Sequence, residues 1–527
     1  MSAVAGVAVA VAVGACGGSR AAQTVRVAPV QVVGQVPLGG GAIDHLPAPS
    51  WVVSFDVWLA PGSRLEVGLG YGGAPVTLSR LGGGLRVALP YGGSYALTTP
   101  PGWLGGGWWH LEATNTRLAI DGRSLPVRAS SATTIIFRAD TGRPRVDALI
   151  ATASADRGWL LLHRLAELHA RIPAGQFPVG ATLGDRIVYG STYWTSGFWP
   201  GALWQAAAIA PGGGLFARWA LTATLEHFGM ERADTHDVGF MYGESSLAAS
   251  LGLCRGRSGA SPALCARLKR SVLSAADELL ALAASNPRGG TIPTDATSPQ
   301  ADTIVDSVMN IAILPWASRV TGDPAYARLA SHQAHAVERL LVRPDGSTAQ
   351  AVNFDRTTGR VLSIGTHQGL SSTSTWSRGE AWAVYGFAQA AADLHDRGLL
   401  RVALRAADFV AAHLPAGGIP RWDYAAPAGA PVDISAGVIT AAGLLRLASA
   451  CRALAGVCSS DPGRWVALGR RMLAAALERA SDQPPLGFLG SQVLNENGRG
   501  CWCNGGELIF GLTYALEGLR LEEIAGA

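Results

Sequence analysis

From about residue 155 to the C-terminus, apolar residues recur with a helical period, and two kinds of segment alternate. One kind carries a charged face: 156–171, 215–228, 263–282, 324–342, 399–414 and 463–480, the last showing Arg464, Arg470, Arg471, Glu478 and Arg479 along its polar side. The other kind is small and apolar all round: 197–210, 237–251, 303–318, 375–394, 435–449 and 505–521. A helix with a polar face sits at the surface, whereas one that is apolar on every side must be buried against other helices. Six of each in strict alternation predict two concentric rings. Polar residues of the apolar set gather at its N-terminal ends: Trp199; His236 and Asp237; Asp302 and Asp306; Arg378 and Glu380; Asp433 and Ser435; Glu507. If the inner helices run parallel, these side chains share one mouth. Positive helix ends there favour an anionic ligand, and carboxylates there can do acid–base work.

The region before the helices follows a different pattern. Stretches 52–58, 64–69 and 85–89 alternate apolar and polar residues between Gly and Pro turns, which predicts antiparallel strands over roughly 49–151. Residues 108–113 and 118–123 resemble paired strands of laminin-G or concanavalin-like sandwiches. The expected fold is therefore multidomain, an all-β jelly-roll sandwich followed by an all-α (α/α)6 barrel over 152–527. Sandwiches of this kind often bind glycans. Trp103, Trp108 and Trp109 are candidates for stacking on sugar, although sandwich tryptophans more often fill the core.

Composition agrees with a large folded chain. The 527 residues are 48% hydrophobic, enough to bury a sizeable core. The net charge is only +4, and Lys269 is the one lysine. No basic stripe or nucleic-acid motif is present, which argues against a nucleic-acid partner.

Residues 1–19 are uncharged and end the apolar run at Val13-Gly14-Ala15-Cys16, resembling an export signal with a lipobox. Cys16 is then the lipidation candidate, 20–48 a linker, and any membrane association would run through the lipid. No Lys or Arg precedes the apolar run, which departs from the usual signal. The other cysteines form three close pairs, Cys254 with Cys265, Cys451 with Cys458, and Cys501 with Cys503, as expected for an exported protein with short disulfides. The last pair closes a strained ring. No pair has the His or Cys companions of a zinc site.

Four motifs of the helical region carry a more specific resemblance. They are Tyr193-Trp194-Thr195-Ser196-Gly197-Phe198-Trp199-Pro200-Gly201, His236-Asp237-Val238-Gly239-Phe240-Met241-Tyr242, Ile304-Val305-Asp306-Ser307-Val308-Met309-Asn310, and Ser374-Thr375-Trp376-Ser377-Arg378-Gly379-Glu380-Ala381-Trp382 continuing to Phe387. In this order they resemble the unsaturated glucuronyl hydrolases of glycoside hydrolase family 88, whose fold is an (α/α)6 barrel. The resemblance implies release of a Δ4,5-unsaturated uronic acid from the non-reducing end of lyase-generated oligosaccharides, by hydration of its double bond. Asp306 is then general acid and base, and Asp237 its partner. Trp194, Trp199, His236, His367, Arg378, Glu380 and Trp382 are the substrate-binding candidates, with no metal or cofactor implied.

Each residue also has a plainer reading. Asp237 could cap its helix, and Asp302 is the cap candidate of the next. Asp306 is read as lying a turn inside an apolar segment, where an unpaired carboxylate is costly. Arg378 could meet the uronate or pair with Glu380, which stands where the family motif often shows Gln. Trp194 and Trp199 could be core. Other functions on the same chain are an unsaturated rhamnogalacturonyl hydrolase, an ordinary inverting glycosidase, or a non-catalytic surface glycan-binding protein.

Overall fold

In the computed structural model, the described residues are 171–526 except 183–185, 191–193, 211–213, 255–259, 299, 455, 459–460, 482–486 and 489–505. Scattered positions from 161 to 169 and strand backbone before residue 154 are described as well. Cys16, Cys501 and Cys503 lie outside the described residues, as do Trp103 and most of the export segment. The chain divides into two compact units, Met1–Arg171 with Ala206–Arg218, and Ile172–Gln205 with Trp219–Ala527.

In the first unit the alternating stretches are strands, including Trp51–Trp58, Arg64–Leu69, Gly84–Ala88 and Trp108–Thr114. They join two six-stranded sheets whose pairings are antiparallel. Trp108 pairs with Trp58, the register expected when strands far apart in sequence become neighbours.

The second unit is helical, and the helix Phe198–Ile209 crosses into the first unit at residue 206. The apolar segments become Phe198–Ile209, Val238–Tyr242 continued by Ala248–Leu253, Ser307–Asn310 continued by Ile313–Thr321, Ser377–Leu394, Ile434–Ala453 and Ile509–Gly526. Neighbours in this series meet where a glycine lets backbones touch. A Cβ on Gly239 would stand 2.0 Å from the carbonyl oxygen of Asn310, and one on Gly443 2.9 Å from the Tyr385 backbone. The last helix returns to the first, Thr513 Oγ1 donating to the Phe198 carbonyl at 3.1 Å. The ring is therefore closed. Ile434–Ala453 has the length and mean hydropathy (1.6) of a membrane span, yet it is 89% buried within this ring.

The charged-faced segments Pro262–Ser285, Pro324–Leu341, Arg397–His413 and Gly463–Leu477 alternate with the ring helices and bury only one side. Three begin with ordinary caps: Ser261 accepts from Leu264 N, Asp323 from Ala325 N, and Asp396 from Gly398 N and Leu399 N. Of the expected segment 156–171, the described positions are helical. Disulfides join Cys254 to Cys265 and Cys451 to Cys458.

Two expected helices are broken. The segment expected at 303–318 is instead a strand, Gln300–Ile304, followed by two short helices. The β-branched run Thr303-Ile304-Val305 favours the extended state, and Pro315 is tolerated because it falls in the first turn of the second helix. Residues Gly243–Leu247 form a π-helical turn. That turn admits Glu244, whose carboxyl is pushed up to about 8 by burial and by Glu517. Glu244 accepts from Tyr514 Oη, while Glu517 accepts from Tyr385 Oη and is paired with Arg446, so the ring interior carries a polar network away from the helix starts.

Candidate active site

Asp237 and Asp306 occupy the N-cap positions of Val238–Tyr242 and Ser307–Asn310, yet neither side chain makes a capping hydrogen bond. Asp433, at the start of the next ring helix but one, does cap, accepting from Ala436 N at 3.1 Å. The plain capping reading of Asp237 is thus set aside, and Asp306 lies at a helix start rather than a turn inside. Asp306 is 8% exposed, and its Oδ2 has no hydrogen-bond partner among the described residues. Burial, reinforced by the Asp237 charge, pushes its carboxyl up to about 7 against the opposing pull of Arg378 and His367. Asp237 is held on three sides: Thr235 Oγ1 and Asn310 Nδ2 each donate to it at 3.2 Å, and His236 Nε2 stands 3.4 Å from its Oδ1. His236 itself is buried, its backbone N–H donating to the Thr294 carbonyl at 2.9 Å.

The third element of the mouth is a small antiparallel sheet, Gln300–Ile304, Ala351–Asp355 and Val361–Gly365, absent from the sequence expectation. Its first strand carries Asp302, which therefore caps nothing and instead lies 2.8 Å from His367 Nε2. The loop after the third strand carries His367. Gln350 gathers that loop, its Oε1 accepting from Thr366 Oγ1 and from the backbone N–H of His367 and Gln368. Buried Asp423 accepts from Leu370 N and Ser374 Oγ and fixes the far side. Periodicity does not reveal Asn310, Gln350 or Asp423, because none is an outlier in its own segment.

Arg378 and Glu380 do not pair. Two residues apart on one helix, they point about 200° away from each other. Arg378 donates to Asp433 Oδ2 at 2.7 Å and Ser435 Oγ at 3.1 Å, with its guanidinium 4.7 Å from the Trp376 ring and 5.2 Å from that of Phe510. Glu380 is fully buried on the other side, accepting from Thr348 Oγ1 at 2.9 Å, and burial pushes its carboxyl up to about 8.

The aromatic candidates separate by depth. Trp194 is half-buried at the rim, its ring 5.2 Å from Phe510 and 5.8 Å from Phe240. Trp199 is buried, and Trp382 is fully so, packed against Phe240 and Tyr514 below the rim. Both lie among core residues. Among the described residues, no group of three or more His, Cys, Asp or Glu is placed to hold a metal ion.

Comparison with known proteins places this arrangement. No family model matches the chain. The unsaturated glucuronyl hydrolase of Bacillus sp. (strain GL1) is 34% identical over 276 residues, 50% of this chain and 69% of the relative. The chain belongs to the unsaturated glucuronyl hydrolase family. A family member from Formosa agariphila is 29% identical over 285 residues, 52% of this chain and 68% of the relative. Among solved structures, the Bacillus sp. GL1 unsaturated glucuronyl hydrolase superposes with a TM-score of 0.57 at 28% identity, over 70% of this chain and 95% of that one. An unsaturated glucuronyl hydrolase specific for heparin gives 0.61 at 25% identity, over 70% and 97%. The helical part is accordingly the all-α barrel of the unsaturated glucuronyl hydrolases.

Burial pushes the Glu380 carboxyl up to about 8, so at neutral pH it presents a neutral group. A carboxyl raised in the folded state binds more protons there than in the unfolded chain, so its contribution to stability declines as pH rises from about 4.5 to about 8. Glu380→Gln is expected to leave turnover at pH 6 within about threefold of wild type. Calorimetry should show a Tm higher by about 5 °C at alkaline pH and little change at acid pH. A pH-independent Tm difference would mean that Glu380 is already ionised.

Proposed function

We propose that this glycoside hydrolase removes a Δ4,5-unsaturated uronic acid from the non-reducing end of lyase-generated oligosaccharides, with Asp306 as the acid and base. The observation that carries the reading is Asp306 itself. It is a buried carboxyl with one oxygen unpartnered among the described residues, and burial together with the Asp237 charge pushes it up to about 7. A general acid works best when its affinity for protons matches the working pH, and burial plus a like charge supplies that match.

The protonated Asp306 delivers its proton to C4 of the double bond. Water adds at C5, and the Asp306 carboxylate takes up the water's proton, returning to its starting form. The hemiketal so formed opens at its ring C5–O bond to a ketone, and the remaining saccharide leaves from C1. Asp237, fixed by Asn310 and Thr235, keeps the proton on Asp306 through its charge until substrate arrives. Trp194 supplies the rim for the sugar ring, and His367 faces it from the loop. Arg378, already committed to Asp433 and 3% exposed, acts on the uronate through its charge rather than by a direct fork.

The substrate class follows the relatives, among them chondroitin disaccharide hydrolases from streptococci and the structure specific for heparin. We also propose that the two antiparallel sheets of the N-terminal unit pack as a laminin-G or concanavalin-like sandwich with a glycan as partner. The chain would be exported, lipidated at Cys16 and either secreted or held at the cell surface. The two disulfides support an oxidising compartment.

The reaction is tested on a panel of lyase-generated unsaturated disaccharides. Turnover should abolish the ultraviolet absorbance of the conjugated double bond, and in heavy-oxygen water the label should enter at C5. Label at the anomeric carbon would instead mark an ordinary inverting glycosidase.

A further inference from the structure

We infer that Asn310 is the positioning residue that orients Asp237 and ties its helix to the one bearing Asp306. The inference rests on the proposed function and deepens it. Asn310 lies four residues after Asp306, on the same face of a helix start, and is 1% exposed. Its Oδ1 accepts from the backbone N–H of Phe240 at 2.8 Å. That bond decides which way the amide faces, because an N–H must meet the oxygen and not the NH2. Nδ2 is then the atom 3.2 Å from Asp237 Oδ1, and an amide N–H can only donate.

The backbone leaves this side chain no slack. Gly239 is pressed against the Asn310 carbonyl, where a Cβ would come within 2.0 Å, and Asn310 N–H donates back to the Asp306 carbonyl at 3.4 Å. At the close approach of the two carboxylate-bearing helices, Asn310 thus holds Asp237 with its side chain and Asp306 with its backbone.

A hydrogen bond to a carboxylate oxygen favours its charged form, and Asn310 holds Asp237 Oδ1 where the Asp237 charge raises the proton affinity of Asp306. The other groups facing Asp237 are His236 Nε2 at 3.4 Å and Thr235 Oγ1 at 3.2 Å, with Asp306 across the helix pair. Arg378 and His367 act on Asp306 from the opposite walls. Asn310 alone among these neutral donors comes from the Asp306 helix, so it is the contact through which a shift of one helix reaches the other carboxylate.

The pH profile of kcat/KM on an unsaturated disaccharide tests this. Asn310→Asp keeps the size and the acceptor for Phe240 N–H, but sets a carboxyl oxygen against Asp237, so that the two share a proton. The acid limb of the profile should move up by about one unit or more. Plateau kcat should fall about tenfold or more, with KM within about threefold. Asn310→Ser, which loses the donor without adding charge, should move the limb in the same direction by less. A merely structural role would lower Tm and the active fraction in both variants and leave the limb where it is, which overturns the inference. Should Asn310→Asp lack a cooperative unfolding transition, the Asn310→Ser profile decides alone, an unmoved limb again overturning it. Wild-type protein inactive on the whole disaccharide panel would remove the proposed function, whereas an active wild type with unmoved limbs removes only the role of Asn310.

Discussion

Asp306→Asn is expected to lower kcat by about 10³-fold or more, because one side chain serves as both acid and base and each role is worth about 10²–10⁴. KM should stay within about threefold, since the amide has the same shape and the substrate's other contacts remain. The wild-type profile gives an independent check. The proton-donating form of Asp306 is lost as pH rises through about 7, so kcat/KM should fall on the alkaline side near that value. Stability should move the opposite way from activity. A carboxyl raised from 3.8 to about 7 makes the folded state bind more protons than the unfolded one across that window. The wild type therefore loses stability as pH rises through it, by up to about 4 kcal/mol at about 1.4 kcal/mol per unit. Asp306→Asn escapes that loss and should melt no lower than wild type at pH 6 and higher at pH 8. Turnover by ultraviolet loss and melting by calorimetry read both halves. A variant active within tenfold of wild type would place the acid elsewhere.

Gly239→Ala should damage stability and activity together. Its Cβ would stand 2.0 Å from a carbonyl oxygen and 2.5 Å from the Cα of Asn310, both backbone atoms of a neighbouring ring helix. A flexible side chain could swing aside, but backbone cannot. Overpacking of this kind costs about 3 kcal/mol or more, against the roughly 1 kcal/mol that Ala gains over Gly in a helix. The displacement falls between Asp237 and Asn310, so kcat of the protein that still folds should drop about 10²-fold, as misplacing a catalytic group by about 1 Å does. Gly229→Ala is the control for glycine replacement as such: Gly229 has φ +104° and open space around its missing Cβ, so strain alone would lower its Tm with kcat unchanged. An unchanged kcat in folded Gly239→Ala would show that the two helices can separate without moving the carboxylates.

Much of the barrel was legible because burial imprints itself locally. A helix buried on all sides has little room for charge, and what charge it carries must find a partner, which is why 375–394 and 435–449 stand out and match Ser377–Leu394 and Ile434–Ala453 closely. The segment 303–318 misled for a local reason as well. An apolar run beginning with β-branched residues reads as strand or helix until its partner is known, and pairing with Ala351–Asp355 decided for the strand. That choice moved Asp302 from a helix cap to the neighbour of His367, 65 residues away.

The site divides along the same line. The sequence by itself determined that Asp237 opens one inner helix and that Asp306 belongs to the next inner segment, and the four ordered motifs pointed to the family, because helical period and residue order are properties of the chain. The structure moved Asp306 from a turn inside that segment to a helix start. Only the tertiary structure decided the partners: Asp433 rather than Glu380 for Arg378, Thr348 for Glu380, and Asn310 for Asp237. It also decided that Trp194 stays at the rim while Trp382 goes under it. Partnership depends on which helices meet and at what height. In this ring that is set by glycines such as Gly239 and Gly443, whose effect lies in what they let approach rather than in any side chain to be read.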